Sequence, residues 1–252
     1  MTHRILVTRP ASQAGELVRL LEERGIYPVA IPTVAIDTRS TERQVDEMLA
    51  GLTGADWLVL TSANGAEAVA ARMAAIGRHL PPGLRVAAVG PATASALRAA
   101  AIRVDHVPDQ YLTVAIAPGL NAGDGTRVVL ARADAATPNM RDALLTLGAT
   151  VEEVVAYRTI VGPATSRDPL RAALQRDLDG IAFTSGSTVH GLMRLTSSID
   201  RARAKALPAH CIGPVTADVA RRAGFAIGAV ATEHTAAGLA DAIATRLALE
   251  DR

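Results

Sequence analysis

The chain has 252 residues, 49% of them hydrophobic and 20% charged, which is enough to bury the core of one large domain or of two ordinary ones. Its 26 basic and 25 acidic residues leave a net charge of +1, which argues against a general nucleic-acid or membrane-surface binder. Cys211 is the only cysteine, so a disulfide framework and a cysteine metal site are excluded.

The N-terminal segment and the distribution of charge predict a soluble cytoplasmic protein. Met1–Arg4 leads directly into a strand-like run and shows no secretory signal. The longest stretch without Asp, Glu, Lys or Arg runs from Gln110 to Gly123 and is shorter than the ~20 apolar residues that a membrane span needs. We therefore expect no membrane partner.

Short apolar runs alternate along the chain with helical segments rich in alanine and leucine. Most runs are continuously apolar, which is typical of strands covered on both faces. The predicted strands are Ile5–Thr8, Pro28–Pro32, Trp57–Thr61, Val86–Val89, Val104–Val107, Val128–Ala131, Val151–Ala156, Ile181–Thr184, His210–Ile212 and Ile227–Ala231. Such alternation favours an α/β fold whose parallel sheets have right-handed crossovers.

Several residues predict where the helices begin and end. Thr41 and Gln44 have the spacing of a capping box, and Thr137 before Pro138 supplies an N-cap followed by proline at the first helical position. Glycines that can take a left-handed conformation are expected to end three helices; they are Gly25, Gly148 and Gly224.

A set of residues recurs at a fixed spacing of 123 positions without any insertion. Arg4, Arg9, Leu21, Gly25, Asp56, Thr61-Ser62, Gly90-Pro91 and Thr93-Ala94 return as Arg127, Arg132, Leu144, Gly148, Asp179, Thr184-Ser185, Gly213-Pro214 and Thr216-Ala217. A period this long indicates duplication of a whole domain rather than a solenoid. We therefore expect two similar, doubly wound α/β domains that face each other across a cleft.

The extended stretches Thr33–Thr38 and Ala156–Val161 interrupt the alternation and are natural places for the chain to pass between domains. Two such crossings would give these bounds: 1–34 plus 163–252 for domain one, 41–155 for domain two, and 35–40 and 156–162 for the linkers. Contiguous halves, 1–122 and 123–252, are the simpler alternative. The repeat is compatible with both assignments.

The repeated hydroxyl groups follow predicted strands, where ligands gather in open α/β sheets. Thr61-Ser62 ends one strand and opens a helix, and so do Thr184-Ser185 with Ser187 in the second copy. Thr93 and Thr216 lie in the first turn of helices that begin with Gly-Pro. These hydroxyl groups either cap the helices or bind a ligand beside free backbone N–H groups, which favour anions.

Three further side chains are candidates for chemistry. Arg9 and Arg132 follow the first strand of each half, where each either meets a ligand carboxylate or is solvated. Tyr157 lies in a predicted crossover segment, and its phenol either acts as a weak acid or is half-buried in a strand. The sequence contains no GxGxxG, P-loop, nucleophile elbow or HExxH motif, so we expect neither cofactor nor metal.

Taken together, these residues resemble the uroporphyrinogen-III synthase family over nearly the whole chain. The resemblance is carried by the order and spacing of seven segments: Ile5–Pro10, Asp56–Gly65, Ala88–Ala94, Ala156–Thr159, Phe183–Thr188, Ile212–Ala217 and Ala231–Thr235. Two positions depart from the family pattern, since Ala63 and Gly186 stand where proline is common. The segment Ala131–Thr137 also departs from the family pattern, since it lacks the glycine-rich stretch that many members have after this strand.

The resemblance implies two flavodoxin-like domains joined by a two-stranded linker, with the N-terminal segment packed into the C-terminal domain. It implies a lyase that converts the small-molecule substrate hydroxymethylbilane, a linear tetrapyrrole with eight carboxylates, to uroporphyrinogen III and water. Tyr157 matches the family's proposed acid, and Thr93, Ser185, Ser187 and Thr216 match hydroxyls of the family's cleft. Thr235 falls in the last matching segment. The expected site therefore comprises Tyr157 with Arg9, Thr61, Ser62, Thr93, Arg132, Thr184, Ser185, Ser187, Thr216 and Thr235.

Two other functions stay open at this level. A duplicated α/β module could bind a tetrapyrrole or another polyanion without turnover, and a nucleotide-linked enzyme would need the phosphate loop that the sequence lacks. No long amphipathic segment is left over for an interface, so we expect a monomer that does not bind nucleic acid.

Overall fold

The computed structural model describes residues 3–108 and 116–250. Within them lie ten strands, and helices separate all of these strands except the second and the third. The strands are β1 (Arg4–Val7), β2 (Tyr27–Ala30), β3 (Val34–Asp37), β4 (Trp57–Leu60), β5 (Arg85–Ala88), β6 (Arg127–Ala133), β7 (Thr150–Val161), β8 (Gly180–Phe183), β9 (Ala209–Cys211) and β10 (Ile227–Val230). The predicted α/β class is confirmed.

Eleven α-helices lie in the same described residues. They are α1 (Ala11–Glu22), α2 (Glu42–Gly51), α3 (Ala63–Ala75), α4 (Pro91–Ala99), α5 (Ile116–Gly119), α6 (Asn139–Thr146), α7 (Arg167–Leu174), α8 (Gly186–Leu195), α9 (Ser198–Ala206), α10 (Pro214–Arg222) and α11 (Ala236–Glu250). Among these helices, none combines the length and the hydrophobicity of a transmembrane span.

The chain divides into two compact units. The first unit consists of Met1–Ala35 with Ile160–Arg252, and the second unit consists of Ile36–Thr159. Among the described residues, each unit contains one five-stranded sheet.

The sheet of the first unit has the strand order β10-β9-β8-β1-β2, and its strand pairs are parallel. Leu6 and Phe183 face a hydrophobic cluster that includes side chains of α7, α8 and α10. The alternate residues Ile5, Val7 and Ala182 face a second cluster built with α1 and α11. Both faces are therefore buried, which explains why Ile5–Val7 of β1 and all four residues of β8 are apolar.

The sheet of the second unit has the strand order β3-β7-β6-β4-β5, and β4 pairs in parallel with both β5 and β6. Leu58 and Leu60 pack against α2, α3 and α4. Trp57 and Val59 face the opposite cluster, to which α5 and α6 contribute. The same two-faced burial thus recurs in the second unit.

A repeated aspartate joins neighbouring strands at the same place in each sheet. The backbone N–H of Arg4 donates to Asp179 Oδ2 at 2.7 Å, and that of Arg127 donates to Asp56 Oδ2 at 2.8 Å. In each case the aspartate and the arginine come from different halves of the sequence. The aspartate satisfies a backbone donor at the start of a strand that would otherwise lack an acceptor.

The predicted strand Val104–Val107 is wrong, because only His106 forms an isolated parallel bridge, with Ala87. The side chain of Asp105 accepts from Val86 N at 2.9 Å, so a carboxylate takes the place of a regular ladder bond at this edge of β5.

Two of the predicted helix caps are also wrong. Thr41 precedes α2 but makes no capping bond; its buried hydroxyl lies 2.9 Å from both Thr38 O and Ala156 O and shares its single hydrogen between these two carbonyl acceptors. Pro138, not Thr137, immediately precedes α6. The three glycine helix ends are confirmed, with φ of 72° at Gly25, 89° at Gly148 and 90° at Gly224.

Candidate functional site

Ser62 and Tyr157 form the centre of the candidate site in the second unit. Ser62 is the N-cap of α3, and its Oγ accepts from Gly65 N at 3.2 Å. The same hydroxyl donates to Tyr157 Oη at 3.0 Å. The side chain of Tyr157 is held by packing as well, since the residue is only 6% exposed.

A break in the strand register fixes the direction of Tyr157. In the pairing of β6 with β7, Arg132 pairs with Val155 and Ala133 pairs with Tyr157, so Ala156 is an extra residue. A bulge of this kind bends a strand and re-aims the following side chain. Ala156 and Tyr157 both belong to the hydrophobic cluster on the α3 face, although neighbouring residues of a regular strand face opposite sides.

A cavity of about 230 Å³ opens beside this pair. Thr61, Ser62, Arg132, Thr137 and Tyr157 contribute polar groups to its lining, and Leu130 and Met140 contribute apolar ones. Four of the predicted site residues, Thr61, Ser62, Arg132 and Tyr157, are thus brought together at the carboxyl ends of β4 and β6.

Arg132 lies within β6, one residue before its end, rather than after the strand as predicted. Its guanidinium donates to Thr137 O at 2.9 Å and to Ala136 O at 3.0 Å, and it forms an ion pair with Glu153 at 2.8 Å. These bonds hold the loop before α6 against β7. The sequence analysis did not identify Glu153 as the ion-pair partner of Arg132, because no pattern in the residues around Glu153 indicates this pairing.

Thr93, the fifth predicted residue of the second unit, is buried in the first turn of α4. It does not line the cavity beside Tyr157. Gly90 and Pro91 open α4 as predicted, with Gly90 extended and Pro91 at the start of the helix.

The first unit repeats the helix cap without a tyrosine. Ser185 caps α8, where its Oγ accepts from Thr188 N at 3.3 Å. The hydroxyls of Ser185 and Ser187 lie 2.8 Å apart, and Thr184 precedes them, directly after the end of β8. The hydroxyl side chains predicted for this loop therefore lie close together, and Ser185 also caps α8.

The loops after β9 and β10 also approach each other in the first unit. A side chain at Gly213 would lie 3.0 Å from the ring of His234, so glycine permits this close packing. Thr216 is buried in the first turn of α10, and exposed Thr235 accepts from Gly238 N at 3.0 Å.

Arg9 follows β1 in the first unit and is partly exposed. It forms no hydrogen bond or ion pair with any other residue that the structure describes. Its counterpart in the repeat, Arg132, is by contrast fully engaged by the loop around it.

Two titratable groups near the end of β9 are buried in the sheet. Burial raises the pKa of Cys211 to about 11, so the thiol is poorly suited to act as a nucleophile. Burial, followed by the charge of Arg246, lowers the pKa of His210 to about 4. Among the described residues, no group of three or more His, Cys, Asp or Glu could hold a metal ion.

Comparison with known proteins adds an independent set of observations. The family described as "HEM4: Uroporphyrinogen-III synthase HemD" matches residues 15–241. The chain is 31% identical over 248 residues to "Uroporphyrinogen-III synthase" of Synechococcus elongatus, a match that covers 95% of this chain and 93% of the relative.

Two solved structures have a similar fold. The structure of a mutant uroporphyrinogen III synthase from Thermus thermophilus is 21% identical, with a TM-score of 0.62 and coverage of 98% of this chain and 100% of that one. Uroporphyrinogen-III synthetase from Helicobacter pylori is 15% identical, with a TM-score of 0.61 and full coverage of both chains (100% each).

Proposed function

The chain belongs to the uroporphyrinogen-III synthase family, and on that premise we propose that it closes hydroxymethylbilane to uroporphyrinogen III. The observation that carries this function is the 31% identity to a uroporphyrinogen-III synthase across 95% of the chain. The family match at residues 15–241 also spans most of both units. The protein is accordingly an enzyme of tetrapyrrole biosynthesis, and its reaction makes it a lyase.

The proposed reaction requires no oxidant or reductant. Loss of the hydroxyl group from the terminal carbon of hydroxymethylbilane, with a proton, releases water and leaves an electrophilic azafulvene. The substituted carbon of the last pyrrole attacks that carbon to give a spiro intermediate. The intermediate fragments and recloses with this ring inverted. The enzyme selects this closure over the simple head-to-tail one, chiefly by orienting the chain.

Tyr157 is proposed as the acid that assists departure of the hydroxyl group. Its Oη is fixed by Ser62 at 3.0 Å, and its ring lines the cavity beside β6. A positioned acid typically increases a reaction rate by a factor of ~10²–10⁴.

The remaining predicted residues are proposed to bind the substrate. They are Arg9, Thr61, Ser62, Thr93, Arg132, Thr184, Ser185, Ser187, Thr216 and Thr235. The substrate's carboxylates suit hydroxyl donors and helix N-termini, and they suit arginine best of all. Arg9 supports this role most directly because the structure gives it no internal partner among the described residues. Arg132 would act through the loop that its guanidinium holds.

We also propose that both units are flavodoxin-like domains. If the strands of the first unit are numbered 1 to 5 along the chain, they lie side by side in the sheet in the order 2-1-3-4-5. When β4 to β7 of the second unit are numbered 1 to 4 in the same way, their order in the sheet is 2-1-3-4. The order 2-1-3-4-5 is that of flavodoxin-like domains. The unit boundaries fall inside β3 and β7, which supports a two-stranded linker at 35–40 and 156–162. The proposed domains are then 1–34 plus 163–252, and 41–155. A cytoplasmic monomer that needs no cofactor is the accompanying proposal.

The deciding experiment supplies the purified protein with hydroxymethylbilane and separates the oxidised porphyrin isomers. We expect a large excess of the type III isomer over the type I isomer that forms without a catalyst. Type I product alone, at the uncatalysed rate, would instead identify a binding module without turnover.

A further inference from the structure

The two hydroxyl groups that meet in the second unit have unequal roles. We propose that Ser62 is a positioning residue for Tyr157: it donates to Oη and thereby leaves the phenol's own O–H free to point at the substrate. The inference rests on the proposed acid role of Tyr157. In this proposal, Ser62 does not bind the substrate directly but orients the acid, Tyr157.

Ser62 Oγ is the donor and Tyr157 Oη the acceptor of the hydrogen bond between them. The backbone N–H of Gly65 can only donate, so Ser62 Oγ is its acceptor at 3.2 Å. A serine hydroxyl has a single hydrogen, and that hydrogen is directed at Tyr157 Oη at 3.0 Å. Among the described residues, Ser62 is the hydrogen-bonding partner of Oη. The phenol hydrogen is therefore left for a group in the adjoining cavity.

This arrangement stabilises the charge that develops when the phenol gives up its proton. A donor aimed at an oxygen that becomes negative gains strength as the charge grows. Ser62 is also the N-cap of α3, a helix end whose dipole favours negative charge. The helix end, the serine and the tyrosine thus form one chain of hydrogen bonds that is in place before substrate arrives.

The repeat shows that capping alone does not account for this contact. Ser185 holds the equivalent position and caps α8 in the same manner. Its hydroxyl meets Ser187 at 2.8 Å instead of a tyrosine, and Val34 stands 123 positions before Tyr157. The cap is duplicated, whereas the bond to a phenol occurs in the second unit.

A double-mutant cycle tests whether Ser62 acts through Tyr157. We would measure kcat and KM for hydroxymethylbilane with wild type, Ser62→Ala, Tyr157→Phe and the double variant. Ser62→Ala should lower kcat by roughly tenfold, a part of the ~10²–10⁴ available to a positioned acid, with little change in KM. In the Tyr157→Phe background the same substitution should cost almost nothing further. Ser62→Thr, which retains the hydroxyl, should recover most of kcat.

Two variants separate this role from loss of the helix cap. Ser62→Gly removes the hydroxyl but preserves most of the capping preference, since glycine costs only a few tenths of a kcal/mol at this position; it should lose kcat as Ser62→Ala does. Ser197→Ala removes the cap of α9, where Ser197 Oγ accepts from Asp200 N at 3.2 Å, and should leave kcat unchanged.

The outcomes distinguish the inference from the proposed function. Equal losses of kcat from Ser62→Ala in both backgrounds, or a rise in KM alone, would overturn the positioning role and leave the enzyme assignment intact. An unchanged kcat in Tyr157→Phe would remove the acid role and the positioning role together. Failure of the wild type to form type III isomer would refute the proposed function itself.

Discussion

Arg9 and Arg132 occupy equivalent positions in the repeat, yet their surroundings differ. Arg9 has no partner among the described residues, whereas Arg132 holds the carbonyls of Ala136 and Thr137 and pairs with Glu153. The spacing of the repeat marked both residues but did not indicate this difference. Hydrogen bonds to carbonyl groups do not depend on residue type, so no sequence pattern reveals them.

His210 provides a pH-dependent term in the stability of the first unit. Neither ring nitrogen has a hydrogen-bond partner in the described structure, and the ring is fully buried. Burial lowers its pKa from 6.5 to about 4 in the folded protein. Between these values the unfolded chain binds more protons, so stability is complete above pH 6.5 and falls as the pH drops towards 4.

We expect the wild type to lose about 3 kcal/mol more of its unfolding free energy between pH 7 and pH 4 than His210→Leu, since one pKa unit corresponds to about 1.4 kcal/mol. Urea unfolding of both proteins at pH 7, 5 and 4 measures this difference. Parallel pH profiles for the two proteins would show that His210 does not carry the effect.

At the scale of helices, the three predicted glycine ends are confirmed, whereas the two predicted threonine caps are wrong. Gly25, Gly148 and Gly224 end α1, α6 and α10 in the left-handed region, and the sequence identified all three. Thr41 and Thr137 match cap patterns but do not cap, because the hydroxyl of Thr41 is bound to Ala156 O, 115 residues away. A sequence pattern predicts a helix end reliably when only the local backbone conformation is required, as at a left-handed glycine.

The end of α4 departs from this rule. Ala101 takes a φ of 58° there, and its neighbour Ile102 donates to Leu97 O at 2.9 Å. At the end of α10, Gly224 lies in the same left-handed region with a φ of 90°, and Phe225 donates to Ala220 O at 3.0 Å. The left-handed region costs a residue with a side chain roughly 1–2 kcal/mol.

Ala101→Gly should therefore stabilise the protein by about 0.5–1 kcal/mol, because relief of the left-handed strain exceeds the added entropy of the unfolded chain. The reverse change, Gly224→Ala, should destabilise it by about 1 kcal/mol. The midpoint of urea unfolding reports both variants. A lower midpoint for Ala101→Gly would contradict this account of the α4 end.

At the scale of the whole molecule, the chain forms two units that each have their own sheet and their own pair of hydrophobic clusters. Each sheet takes strands from both halves of the sequence. Asp56 and Asp179 join those strands by the same bond to a backbone N–H. The two aspartates thus offer matched substitutions that act in different units.

Asp56→Ala should accelerate amide hydrogen exchange mainly in the sheet of the second unit, and Asp179→Ala in that of the first. Each change leaves a strand N–H without its acceptor, at a cost of about 1–3 kcal/mol. Exchange followed by mass spectrometry on peptides from β4 and β8 distinguishes the two sheets. Equal acceleration in both sheets after either substitution would show that the units do not open separately.

The sequence by itself determined the alternation of strands and helices, the glycine helix ends and the duplicated hydroxyl loops, since continuous apolar runs and left-handed turns depend on neighbouring residues. Only the tertiary structure decided which strands lie side by side: β1 pairs with β8 and β4 with β6, and Arg4 meets an aspartate 175 residues away. It also joined Ser62 to Tyr157 across 95 residues. Every one of these contacts depends on chain closure over long separations, about which local periodicity carries no information.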